Sequence, residues 1–74
     1  MILPTKHISE NRSLLGIGGV LLARLENPRT ISKLWDEVRD HPDIRTFERF
    51  VLALDLLYII GAVEQARGQL RRTL

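Results

Sequence analysis

The sequence predicts a mainly α-helical single domain, residues 1–74, closed by a small β-hairpin. Three observations predict it. Residues 46–62, TFERFVLALDLLYIIGA, are the longest apolar-rich run in the chain, and at about 100° per residue their apolar positions fall into helical stripes. Ile31, Leu34, Trp35 and Val38 recur at i, i+3, i+4 and i+7, the spacing of one helix face. Two short strand-like segments then flank Ala66-Arg67-Gly68, the signature of a hairpin with a glycine-bearing turn.

The chain in order begins with MILPTKHI, residues 1–8. Pro4 biases Leu3 toward extended backbone, so an extended arm is expected, with Ile2 and Leu3 free to pack back on the domain or to dock on a partner. Ser9 or Asn11 can cap a helix over about residues 12–25. Leu14, Ile17, Leu21 and Leu25 form its main stripe. Gly16, Gly18 and Gly19 lie inside it, at about 0.5–1 kcal/mol each relative to alanine, a cost that close approach of another backbone would offset. GIGG lacks the lysine and the spacing of a phosphate loop. Asn27-Pro28 breaks the helix. Thr30 then caps a short helix over about residues 31–39, on which Trp35 reads as a core anchor. His41 is simplest as a solvated loop residue.

Thr46 is the expected N-cap of the central helix, and Gly61 fits its C′ position. Phe47, Phe50, Val51, Leu54, Leu57 and Tyr58 read as its core stripe. Leu52, Leu56 and Ile59 form a second stripe on roughly the opposite side, so the helix is either a central core helix or has its outer face covered by another protein. The whole order is arm (1–8), three helices (9–60) and hairpin (62–72), which is the order of a winged helix-turn-helix domain.

Composition narrows the function. A chain of this length buries only about 60% of the surface of its unfolded form, yet 45% of its residues are hydrophobic. There is no cysteine, hence no disulfide and no thiolate metal site. No serine stands at a telling spacing from His7 or His41, and the carboxylates Asp36, Glu37, Asp40 and Asp43 read as a solvated face. An enzyme, a metal and a cofactor are therefore not expected. The start lacks a basic n-region, and no run reaches the roughly 20 apolar residues of a membrane span. A soluble cytoplasmic protein is the expectation.

A DNA-reading winged helix places the first half of its third helix in the major groove. Here Arg45, Thr46, Glu48 and Arg49 would be exposed, but the outer face then becomes Leu52, Leu56 and Ile59. Arg45, Arg49, Arg67, Arg71 and Arg72 are candidate phosphate contacts, set against a plain solvated surface. The net charge of +2 is too small to indicate nucleic acid. Ile2, Leu3, Leu52, Leu56 and Ile59 are the candidate protein interface.

The segments MILPTKHIS, RSLLGIG, ISKLW, FVLALDLLYIIGAVE and GQLRR together resemble the small middle components of bacterial ABC-three-component systems, across about residues 1–72. Lamassu-type anti-phage defence complexes have the same plan. The resemblance implies a scaffold subunit bridging an SMC/Rad50-like ABC ATPase and an effector, often a nuclease. ATP and magnesium would then belong to the ATPase, and DNA would be reached only through the complex. Two further readings are a stand-alone winged-helix DNA-binding regulator and an antitoxin-like inhibitor of an effector.

Overall fold

A computed structural model describes residues 5–73, with side chains from Ser13 onward. Three helices are followed by a two-stranded antiparallel hairpin: α1 Thr5–Arg24, α2 Ile31–Val38, α3 Phe47–Ile59, β1 Val63–Ala66 and β2 Gln69–Arg72.

The first helix corrects the expected arm. Thr5, Lys6, His7 and Ile8 belong to α1, which starts seven residues before the expected 12–25 span. Proline is well tolerated where a helix begins, so Pro4 does not forbid a helix directly after it. Ile2 and Leu3 lie outside the described residues.

The punctuation of α2 and α3 follows the side-chain chemistry of their ends. Thr30 and Thr46 hold extended backbone, and their hydroxyls accept from the amides of Lys33 and Arg49 at 3.1 and 3.2 Å. Each satisfies an amide that the first turn would otherwise leave unpaired. Helix α3 ends in a Schellman motif. Gly61 has φ 74°, its amide donates to Tyr58 O, and the next amide, Ala62, donates to Leu57 O. A positive φ is inexpensive for glycine.

The hairpin turns on two residues, Arg67 (φ 55°) and Gly68 (φ 76°), between the paired Ala66 and Gln69. Two positive φ values in a two-residue loop make a type I′ turn, whose twist suits the flanking strands. Beside the hairpin, Arg29 pairs with Leu70 as an isolated antiparallel bridge. The loop between α1 and α2 thus runs along the outer edge of β2.

The core draws on every element. Ile17 and Leu21 of α1 and Leu25 just past its end meet Leu34 and Val38 of α2, Phe50, Ala53, Leu54 and Leu57 of α3, and Ile44, Ala62, Val63 and Leu70. Each of the larger side chains contributes roughly 1.5–3 kcal/mol by leaving water. Trp35 is half-buried and joins α2 to α3. Its ring meets Phe47 edge-on and Phe50 at a tilt, each with centroids 5.2 Å apart, and the Arg39 guanidinium lies 5.6 Å from its centre.

The glycines of α1 divide. A Cβ on Gly18 would stand 3.1 Å from Leu57 Cδ2, so α1 and α3 approach closely there. A Cβ on Gly16 or Gly19 would meet nothing within 4 Å. The close approach of another backbone expected of the three glycines is not what these contacts give: at Gly18 the neighbour is the Leu57 side chain, and Gly16 and Gly19 face open space.

Candidate protein-interaction surface

Helix α3 turns its buried face to Phe50, Ala53, Leu54 and Leu57. This rotates the helix away from the stripe expected from its sequence. Phe47 is 51% exposed and Tyr58 38%, so neither belongs to the core. Ala53 enters it instead, because a small side chain allows close packing where the helix is most enclosed.

The opposite face is the expected second stripe, with one change. Ile59 is 81% exposed and Leu52 46%, while Leu56 is half-buried. Ile60, just past the helix, is 58% exposed. Leu52 lines a groove with Leu14, Thr46, Glu48 and Arg49 between α1 and α3. On α1, Leu15 is also exposed, on the side that carries Gly16, Gly19 and Ala23.

The chemistry of the α3 surface is one-sided. Its exposed residues are Phe47, Glu48, Leu52, Asp55, Tyr58 and Ile59, all apolar, aromatic or acidic. The single basic residue of the helix, Arg49, is half-buried. Burial lifts the Tyr58 phenol above its ordinary value, and the negative charge of Asp55 acts in the same direction. A carboxylate near the start of α3, Glu48, suits the partial positive charge of a helix N-terminus but would repel a phosphate.

The five arginines proposed for phosphate contact are spread around the domain and partly engaged within it. Arg49 donates through Nη2 to Ser13 Oγ at 2.6 Å and through Nε to the Asp43 carbonyl at 3.1 Å. Arg45 donates to the Pro42 carbonyl at 2.9 Å. It sits at φ 60° in a γ-turn whose hydrogen bond runs from the Thr46 amide to Ile44 O. These two arginines brace the loop between α2 and α3. His41 braces it too: it is half-buried, not solvated, and its Nδ1 accepts from the Asp43 amide at 3.2 Å. Arg71 pairs with Glu64 across the hairpin at 2.5 Å. Arg67 at the turn and Arg72 on β2 are exposed.

Two features escaped sequence reasoning. One is Arg29, whose side chain reaches three partners. Its Nε donates to Glu37 Oε1 at 3.0 Å, with Oε2 at 2.6 Å as an ion-pair contact off the N–H direction. Its Nη1 donates to the carbonyls of Arg24 and Asn27. No local pattern marks such a residue, because its partners come from three different segments. The other is the placement of Glu48 and Asp55 among the exposed apolar residues of α3. Their spacing from Leu52 and Ile59 was visible in the sequence and would have revealed it.

No described helix is long and apolar enough to cross a membrane. No curated protein and no solved structure matches the chain. A family model does, that of the ABC-three component (ABC-3C) system Middle Component 6, over residues 3–72. With nearly the full length of the chain covered, the protein belongs to this family of middle components, which work with the other components of an ABC-three-component system.

Proposed function

We propose that the chain is a non-catalytic scaffold subunit of a cytoplasmic anti-phage complex of the Lamassu type, bridging an SMC/Rad50-like ABC ATPase and an effector, often a nuclease. In this reading ATP and magnesium act on the ATPase, this chain carries no cofactor, and DNA is reached only through the assembly. The observation that carries it is the exposed face of α3, apolar and acidic with no exposed cation. Burying Leu52 and Ile59 against protein would yield roughly 1.5–3 kcal/mol each, whereas burying them against phosphates and water would yield nothing.

The fold proposed for this role is a winged helix, with β1 and β2 as the wing. The bridge between Arg29 and Leu70 supports it. It supplies the short pairing segment between the first two helices that ties a wing to its helical body. Helix α3 then holds the position of a DNA-recognition helix while presenting protein-binding chemistry. Ile2 and Leu3 are the second proposed contact, which lets one small chain touch two partners.

Co-expression with the other components of the system tests this reading. Leu52→Asp and Ile59→Asp change exposed positions and should leave the circular-dichroism spectrum intact, unlike a change at half-buried Leu56. Loss of co-purification and of phage protection is the expected result. Normal assembly and full protection in both variants would sink the α3 interface. Removal of residues 1–4 tests the second contact in the same assay. Tight binding of the isolated chain to one preferred duplex at two salt concentrations would favour a DNA-binding regulator. Capping of a lone toxic effector, with no ATPase in the assembly, would favour an inhibitor.

A further inference from the structure

Glu48, Leu52, Asp55 and Ile59 follow one another at spacings of four, three and four, and all four are exposed. That is the seam along which one helix packs lengthwise on another. Leu52 and Ile59 occupy one position of the repeat, and Glu48 and Asp55 the other. An apolar seam alone would accept any apolar helix. Carboxylates at alternate positions are selective, because one covered by an apolar side chain loses its water and gains no partner. Opposite Lys or Arg it is compensated. A second copy of this chain brings no cation on its own α3, since none of the exposed residues there is basic.

We propose that this seam docks an amphipathic helix of about three turns, roughly 16 Å long, from another component of the system. Its contact face alternates apolar side chains with Lys or Arg. The proposal rests on the protein-interaction reading of α3 given above and adds the chemistry of what it binds. Apolar contacts at Leu52 and Ile59 hold the partner, while Glu48 and Asp55 set its register and exclude helices of the wrong charge.

The test uses the complex assembled by co-expression with the other components. A photo-crosslinking residue replaces Ile59, and the crosslinked peptide is identified by mass spectrometry. In parallel, Glu48→Lys/Asp55→Lys and Leu52→Asp/Ile59→Asp are compared with the parent for affinity and for melting temperature. Glu48 also sits in the first turn of α3, so Asp55→Lys alone is the control that leaves the helix N-terminus untouched. The expected result is a crosslink to a helical segment bearing alternating apolar and basic positions. The charge-reversed pair should then bind on the order of 10-fold or more weakly, with recovery when the mapped cations are exchanged for glutamate. If the leucine–isoleucine variant breaks the complex and the charge-reversed one does not, the alternating seam is wrong while the α3 interface stands. If neither variant has an effect, both fall. A crosslink to a second copy of this chain, or to a segment without cations, also overturns the proposal.

Discussion

Arg29 and Leu70 exchange both of their backbone hydrogen bonds, at 3.0 and 2.7 Å, although α2, α3 and β1 separate them in sequence. The same Arg29 sends its guanidinium to Glu37 on α2 and to the end of α1. Replacing Arg29 with alanine keeps the backbone pair but strips Glu37 of its partner in a half-buried position. The expected loss is about 2 kcal/mol of unfolding free energy, read from the urea midpoint. In a double-mutant cycle, Glu37→Ala should remove part of the same loss, with a coupling of about 1 kcal/mol. Strict additivity would show that the two side chains do not support each other.

The glycines of α1 should respond in opposite directions. Gly16→Ala and Gly19→Ala meet open space, so each should stabilise by about 0.5–1 kcal/mol through helix propensity. Gly18→Val pushes into Leu57 and should destabilise by about 1–3 kcal/mol. Thermal melting of the three variants decides the matter. If Gly16→Ala or Gly19→Ala assembles poorly despite a higher melting temperature, that face of α1 is covered in the complex.

Arg67 occupies a left-handed conformation that a non-glycine residue adopts at a cost of about 1–2 kcal/mol. Asparagine suits the first central position of a type I′ turn far better. Arg67→Asn should therefore raise stability by roughly 0.5–1 kcal/mol, and Gly68→Ala should lower it by about 1–2 kcal/mol. A salt-dependent loss of nucleic-acid binding by Arg67→Asn in the assembled complex would assign the turn a second duty.

Tyr58 should give the domain an alkaline dependence. Its folded pKa is raised, first by burial and then by Asp55, so the protonated phenol favours the folded state. That contribution is complete below the ordinary tyrosine value of about 10 and is lost as pH rises through the raised one. Denaturation midpoints should fall in this range, and Tyr58→Phe should flatten the fall. An unchanged slope in the variant would place the effect elsewhere.

Local chemistry was the legible part of the fold. Thr30, Thr46 and Gly61 act where capping rules place them, and the turn at Gly68 closes the hairpin that its neighbours announce. Those rules operate within one turn of backbone. The start of α1 departs from the expected arm because proline obstructs a helix from within and not from its beginning. The rotation of α3 departs from the expected core stripe at Phe47 and Tyr58, which are exposed, and at Ala53, which is buried. Hydrophobicity cannot tell which of several apolar positions a neighbouring helix will cover. Ala53 is enclosed and Phe47 is half outside, and α1 meets α3 where Gly18 faces the Leu57 side chain. On the candidate surface, Leu52 and Ile59 were legible as excess apolar positions. Leu56 was not separable from them, since its half-burial is decided by packing between elements.

The pairing of Arg29 with Leu70 also has a mechanical side. A two-stranded hairpin on a flexible tether would absorb any pull on its tip. Here the second strand is hydrogen-bonded to the peptide whose side chain pairs with Glu37 on α2, so one residue ties the hairpin to that helix. A partner that seizes the turn around Arg67 and Gly68 would load the second helix directly. Motion at one end of the subunit would then be conveyed through it rather than dissipated.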